Sequence, residues 1–272
     1  MLLNRPKRSR RGRAYRDDFC LVFLHLPKTG GTTLATSLRW NYPVSQTVRA
    51  DIFGKPDAIE QTFARDRMAH VRLLYGHVPY GVHRRIPRAC RYVTIVREPV
   101  ARVVSAYKYV LANKAHRLNE MMVQGNVGLE EYVERFWVGQ QVSRQTRQLC
   151  DRADGPLDQG ALEEAQRNLS DFLVVGLTER FAESFVLIRR ALALRRPFYI
   201  TRNVGRTIEV SDYAVELIRR REEFDVALHS FAQEVFERQI AREGRSVAPE
   251  AALYRAATPL LKAAAERFPS HR

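Results

Sequence analysis

The sequence predicts an α/β fold: one domain with a central parallel sheet flanked by helices, and a helical C-terminal part. Three observations carry that reading. Short apolar runs at residues 19–26 (FCLVFLHL), 92–96 (YVTIV) and 172–177 (FLVVGL) have the character of strands buried on both faces. Helical segments separate them, as in βαβ units. The 272 residues, 45% hydrophobic and 28% charged, suffice to bury the core of such a domain.

The first run leads directly into PKTGGTT (27–33), a P-loop-like turn, and then into a helical stretch at 34–40. Residues 57–70 read as a helix with Ile59, Phe63 and Met68 on one side, and residues 73–75 as a short strand ended by Gly76. After the strand at 92–96, Pro99 suits the first turn of a helix that runs to about Asn113. Helices are expected at 129–150 and 160–169, separated by a turn at Asp154-Gly155-Pro156. The strand at 172–177 is followed by a helix at 179–194 and a weak fourth strand at 198–200. From 212 to 240, Phe224, Leu228, Phe231 and Val235 recur at helical spacing, and a last helix covers 249–267. With no internal repeat and no linker after residue 17, the organisation is a basic arm (1–16) and one domain (17–272).

Charge narrows the function. The chain carries 45 basic and 30 acidic residues, a formal +15. Seven basic residues and no acid fall in residues 1–16, which have little to bury and read as a disordered arm able to touch an anionic surface weakly. The remaining +8 points to a polyanionic ligand (nucleic acid, nucleotide or acidic polymer), a generally arginine-rich surface being the plainer account. No apolar run is long enough for a transmembrane segment, and the basic start lacks the apolar stretch of a secretory signal. Cys20, Cys90 and Cys150 fit no zinc spacing, so no metal is expected and a reducing, cytoplasmic setting is.

The segment around PKTGGTT is the most informative. A loop between a buried strand and a helix aims free N–H groups and the positive helix end at one point. Gly30 and Gly31 let an anion approach the backbone, Thr32 and Thr33 add hydroxyl donors, and Lys28 adds a mobile charge. The result suits phosphate or sulfate. It differs from the nucleoside-triphosphatase loop, whose Lys follows the glycines. Arg97 then stands at the carboxyl end of the second clear strand, where open α/β sheets bind ligands, with Ser105 about two helical turns further on. A guanidinium and a hydroxyl so placed can grip a second phosphate.

PKTGGTT followed by R-E-P-x-x-R-x-x-S-x-Y (97–107) resembles the 5′-phosphosulfate loop and 3′-phosphate motif of the sulfotransferases, in particular the group containing the heparan-sulfate 2-O-sulfotransferases and their bacterial relatives. The resemblance continues through GHVPYG (76–81), VGLTE (175–179) and FDVALHSFA (224–232), covering most of residues 19–242. It implies a parallel α/β sheet and 3′-phosphoadenosine 5′-phosphosulfate as donor. Lys28, Thr29, Gly30, Gly31, Thr32 and Thr33 would hold the 5′-phosphosulfate, and Arg97 with Ser105 the 3′-phosphate.

The histidine of the G-H element, here His77, is the general base in the resembling family, and an imidazole suits that task at neutral pH. In the animal 2-O enzymes a second histidine stands two residues earlier. Here that place is Tyr75, which weighs against a uronic-acid acceptor. His25 reads as a core or supporting residue, His83 as an exposed loop residue and His229 as a helical partner of Asp225. Arg144, Arg147 and Arg152 line either an acidic acceptor groove or a solvated face.

The resulting expectation is a sulfotransferase acting on a hydroxyl, by resemblance that of a carbohydrate. His77 would take the acceptor proton and Lys28 would stabilise the bridging oxygen. A phosphate-loop kinase is the first rival, disfavoured by the position of Lys28 and the lack of a Mg²⁺ carboxylate after a strand. A nucleic-acid-binding module is the second, disfavoured by the lack of stacking aromatics in the arm or a reading motif, so no sequence-specific nucleic acid is expected.

Overall fold

β1 (Cys20–Leu24) is buried along its whole length and forms the middle of a parallel sheet. The structure, a computed structural model, describes residues 19–55, 57–63, 68–152, 154–200 and 208–267. Among these, five strands run in the order β2 (Thr47–Arg49), β3 (Leu73–Gly76), β1, β4 (Cys90–Val96), β5 (Val174–Leu177). Leu24 pairs with Gly76 on one side and Phe23 with Val93 on the other. The chain fills one side of β1 first and then crosses to the other. At such a reversal a crevice opens at the carboxyl edge of the sheet. The loop after β1, His77 after β3 and Arg97 after β4 all leave at this edge.

Helices cover the sheet: α1 (Gly31–Arg39), α2 (Asp57–Thr62), α3 (Pro99–Ala112), α4 (Asn119–Gln124), α5 (Arg144–Leu149), α6 (Gln159–Ser170), α7 (Phe181–Leu192), α8 (Asp212–Arg221), α9 (Glu223–Glu243) and α10 (Val247–Arg267). Pro99 opens α3 as expected, and the Glu98 carboxylate caps it by accepting the Ala101 N–H at 2.7 Å. The main core surrounds the sheet. A smaller one, with Val103, Tyr107, Tyr132, Trp137 and Ile218, joins α3 to α8.

Three expectations need correction, one strand is additional to them, and one helix is described only in part. β2 was not foreseen: its three residues are too short to alternate visibly. The single helix expected over 129–150 is a broken path: a turn of α-helix, a π turn at Tyr132–Phe136, a 3-10 turn at Gly139–Gln141, then α5. Residues 198–200 make no ladder. The Phe198 carbonyl instead accepts the Ser37 hydroxyl at 2.9 Å while its ring packs on Trp40. The helix over 212–240 is two helices meeting at Glu222. The helix expected over 57–70 is described as α2 at Asp57–Thr62, with residues 64–67 outside the described residues. The basic arm at 1–16 also lies outside them.

The break at Glu222 turns its carboxylate inward. Arg102, fully buried, donates to Glu222 Oε2 at 2.7 Å and lies 3.4 Å from Asp225 Oδ2. Glu222 also accepts from Trp137 Nε1 at 2.6 Å and from the Ser143 N–H at 3.1 Å. Asp225 accepts the N–H groups of Gln145 and Thr146 and the Thr146 hydroxyl. Burial, with the second carboxylate close by, pushes the Glu222 carboxyl above its ordinary range even though Arg102 opposes the shift. Removing one member of such a cluster strands the others. Arg102→Met is therefore expected to lower the unfolding free energy by about 3–5 kcal/mol, read from urea denaturation. A loss under ~1 kcal/mol would show that the cluster does not hold this junction.

Candidate active site

The carboxyl edge of the sheet opens into a cavity of about 690 Å³ whose lining includes His25, Lys28, Thr33, His77, Arg97 and Ser105. This is ample for a small-molecule ligand. The loop after β1 makes its floor. Gly30 caps α1 in the left-handed region (φ 77°), and Lys28 also lies there (φ 67°) despite its side chain. Gly31 is required by its neighbour: a Cβ there would lie 1.9 Å from the His25 ring. Gly31 and Thr32 open α1, so their N–H groups have no partner within the helix and face the cavity with its positive end.

Arg97 fastens this loop by donating from Nη1 to the Lys28 carbonyl at 2.8 Å. Its Nε is buried without a hydrogen-bond partner among the described residues. The Arg97 backbone is gripped by one amide side chain: Gln145 Oε1 accepts its N–H, and Gln145 Nε2 donates to its carbonyl, both at 2.9 Å. Lys28 Nζ sits 4.0 Å over the Tyr109 ring. Burial, and then the neighbouring Arg97 charge, hold the Lys28 ammonium down at about 8. Arg39 and Arg49 also line the cavity, against one carboxylate, Asp51. Its potential favours an anion.

His77 faces this cluster. Its Nδ1 lies 2.8 Å from the His25 carbonyl, which can only accept, so the ring proton sits on Nδ1 and Nε2 keeps its lone pair. Its backbone N–H donates to Asp51 Oδ1 at 3.0 Å, and its carbonyl accepts from Ile52 and Phe53. The His25 and His77 rings lie 4.5 Å apart. Burial lowers both imidazoles, His25 to about 3, so both are neutral at pH 7. Asp51 stays below the usual carboxylate range because the His77 N–H and Arg49 outweigh its burial.

Most residues singled out in the sequence come together in this cavity, with four corrections. Thr29 does not line it: its hydroxyl donates back to the Leu26 carbonyl at 2.8 Å and locks the turn. His25, read as a core or supporting residue, lines the cavity wall and supports His77 through its carbonyl. His83 is half-buried, its Nδ1 2.9 Å from the Tyr92 hydroxyl. His229 lies 3.6 Å from Glu179, because Asp225 is taken up by Arg102 and α5. Of the three arginines, Arg144 is buried over the Phe53 ring and Arg147 donates to the carbonyls of Val142 and Gly155. Arg152 pairs with Asp158 and Glu164.

Sequence reading missed Asp51, which follows the unforeseen β2, and also Tyr109 and Thr178. Thr178 ties the loop to β4 by donating to the carbonyls of Thr29 and Val96. Tyr109 had a signal, since it stands four residues after Ser105 on the same helical face.

A sequence profile described as "Sulfotransferase family" matches residues 14–231. Human heparan-sulfate 6-O-sulfotransferase 1 is 25% identical over 274 aligned residues, covering 82% of this chain and 66% of the human protein. The chain thus spans just under two thirds of that relative's length. Among solved structures, mouse sulfotransferase SULT7A1 complexed with PAP is similar at 16% identity and a TM-score of 0.40, over 77% of this chain and 65% of that one. A sulfotransferase from Alicyclobacillus acidocaldarius is similar at 17% identity and a TM-score of 0.42, over 82% of this chain and 98% of that one.

The depressed imidazole of His25 has a measurable consequence. A histidine held neutral in the fold contributes stability that is whole above the ordinary value of 6.5 and is lost as pH falls toward about 3, where only the unfolded state has taken the proton. Urea midpoints measured across that interval should fall more steeply for the wild type than for His25→Phe. Parallel slopes would show that His25 is not the group responsible.

Proposed function

This chain belongs to the sulfotransferase family, and we propose that it transfers a sulfuryl group from 3′-phosphoadenosine 5′-phosphosulfate to a carbohydrate hydroxyl, with His77 as the base. The observation that carries the reading is the pairing of His77 Nδ1 with the His25 carbonyl, which leaves Nε2 free to accept in the same cavity as Lys28 and Arg97. Cations against a single carboxylate, helix-start N–H groups and the unpartnered Arg97 Nε suit a ligand with phosphates at two positions. The donor supplies an activated sulfuryl group and leaves as 3′,5′-bisphosphoadenosine.

Each residue then has a role. Gly31 and Thr32 offer backbone N–H groups to the 5′-phosphosulfate, and the Thr32 and Thr33 side chains border it. Arg97 and Ser105 take the 3′-phosphate. Lys28 reaches the oxygen that bridges sulfur and phosphorus and offsets the negative charge that grows there as the bond breaks. His77 Nε2 accepts the proton of the acceptor hydroxyl as its oxygen attacks sulfur. The human relative is named for 6-O sulfation of heparan sulfate, which supports a sugar acceptor and a 6-hydroxyl. The 2-O regiochemistry of the sequence resemblance is the alternative, and Tyr75 weighs against it.

Two experiments test this. His77→Ala keeps the donor cradle, so the thermal shift given by 3′,5′-bisphosphoadenosine should persist and exceed that given by ATP, while transfer falls by roughly two to four orders of magnitude. Wild-type turnover in the folded variant would remove His77 from the mechanism. The second is the pH dependence of kcat/KM, which reports the free protein. With His77 below its ordinary value, the acid limb should lie below 6.5, and an alkaline fall should follow Lys28 near about 8 as its charge is lost. Lys28→Arg should abolish the alkaline limb, and an unchanged limb would assign it elsewhere.

A further inference from the structure

The six residues of α5, RQTRQL, are all buried although five are polar. Gln145 closes on the backbone of Arg97, as described above. One turn further on, Gln148 is fully buried, and its Nε2 donates to two carbonyls, Val78 at 2.8 Å and His25 at 3.1 Å. The Gln148 carbonyl in turn accepts the Tyr80 N–H at 2.9 Å. The His25 oxygen therefore serves two donors, Gln148 Nε2 and His77 Nδ1, which occupy both of its lone pairs.

The other Gln148 amide atom, Oε1, is buried with no partner among the described residues. An apolar side chain of similar volume would fill this space without leaving an orphan acceptor. Turning the amide over would set its oxygen against two carbonyl oxygens. The site therefore uses glutamine for its two donors, and both act on the peptides around His77.

We propose that Gln148 is a positioning residue for the proton transfer: by fixing the carbonyls of His25 and Val78, it keeps the ring proton on Nδ1 and Nε2 turned into the cavity. Without that hold the carbonyl can rotate, and the imidazole can take the other tautomer, in which Nε2 carries a proton and cannot accept the acceptor's. Gln148 itself touches no reactant. The proposal rests on the reading of His77 as the base.

The test is a double-mutant cycle with Gln148→Met and His77→Ala, using a small sugar acceptor and 3′,5′-bisphosphoadenosine as the binding probe. In the wild-type background Gln148→Met should leave the bisphosphate Kd and the donor KM within about threefold, while kcat falls roughly 10- to 100-fold, as expected for a misplaced reacting group. In the His77→Ala background the same change should alter the residual rate less than about twofold, because a group that acts through His77 has nothing left to position. Gln148→Asn, which keeps the amide but draws it back by one methylene, should show the same pattern if the methionine variant fails to fold. Long-range ¹H–¹⁵N spectra of the wild type should place the His77 proton on Nδ1. Equal losses in both backgrounds, an undiminished kcat in Gln148→Met, or a wild-type His77 proton on Nε2 would each overturn the proposal. Full activity of His77→Ala would instead bring down the assignment of the base beneath it.

Discussion

Arg102 is the group on which the arrangement of the site depends. It is wholly buried, and its charge is balanced by two carboxylates that arrive from far along the chain, Glu222 and Asp225. Those carboxylates do more than neutralise it. Asp225 accepts two N–H groups of α5, and Glu222 accepts the Ser143 N–H just before that helix. A six-residue helix is too short to be stable by itself. Here its first N–H groups, which have no partner within the helix, are satisfied by a carboxylate placed where the helix dipole favours one. The buried ion cluster thereby fixes α5, and α5 presents Gln145 to Arg97 and Gln148 to the peptides around His77. A side chain in the first turn of α3 thus sets the position of groups just beyond the ends of two different strands.

The cavity is built from charges that disfavour each other until an anion arrives. Burial makes the charges of Lys28 and Arg97 costly, and the Arg97 charge makes that of Lys28 costlier still. The loop also holds Lys28 in a left-handed conformation that a side chain resists. Arg97 and Thr178 offset this by bonding the Lys28 and Thr29 carbonyls. A ligand with several negative charges relieves the repulsion, so preorganisation of this kind raises affinity for such a ligand over a neutral one. The two imidazoles complete the balance. Being neutral at pH 7, they add no further positive charge, and His77 keeps an acceptor atom beside the cations.

What the sequence disclosed, and what it hid, follows from how each feature is encoded. β1, its loop and α1 were legible because a buried parallel strand is a continuous apolar run and a strand-to-helix anion loop needs glycines. The strand before Arg97 was legible for the same reason. β2 escaped because three residues carry no period, and with it went Asp51, which holds the His77 backbone. The junction at Glu222 escaped because apolar spacing runs on through both helices, while the break is made by one buried carboxylate whose partner lies 120 residues away. Thr29 was misread for a local reason: a hydroxyl three residues after a free carbonyl can bond back to it, and composition does not reveal which way it turns.

The most instructive misreading is α5. Arg144 and Arg147 looked like the edge of a groove or a solvated face, because helical patterning assumes that polar side chains face water. That assumption fails when the polar atoms are consumed by backbone groups that would otherwise be buried unpaired. Arg147 serves the carbonyls of Val142 and Gly155, Gln145 both backbone groups of Arg97, and Gln148 the carbonyls of His25 and Val78. These carbonyls and N–H groups belong to chain leaving the sheet edge or to irregular turns, where no ladder or helix satisfies them. An open α/β site requires such irregular backbone at the strand ends, because loops rather than ladders must surround the ligand. A short helix rich in glutamine and arginine, placed behind those loops, lets the backbone be irregular and rigid at once. The polarity of α5 is therefore the internal counterpart of the cavity it supports.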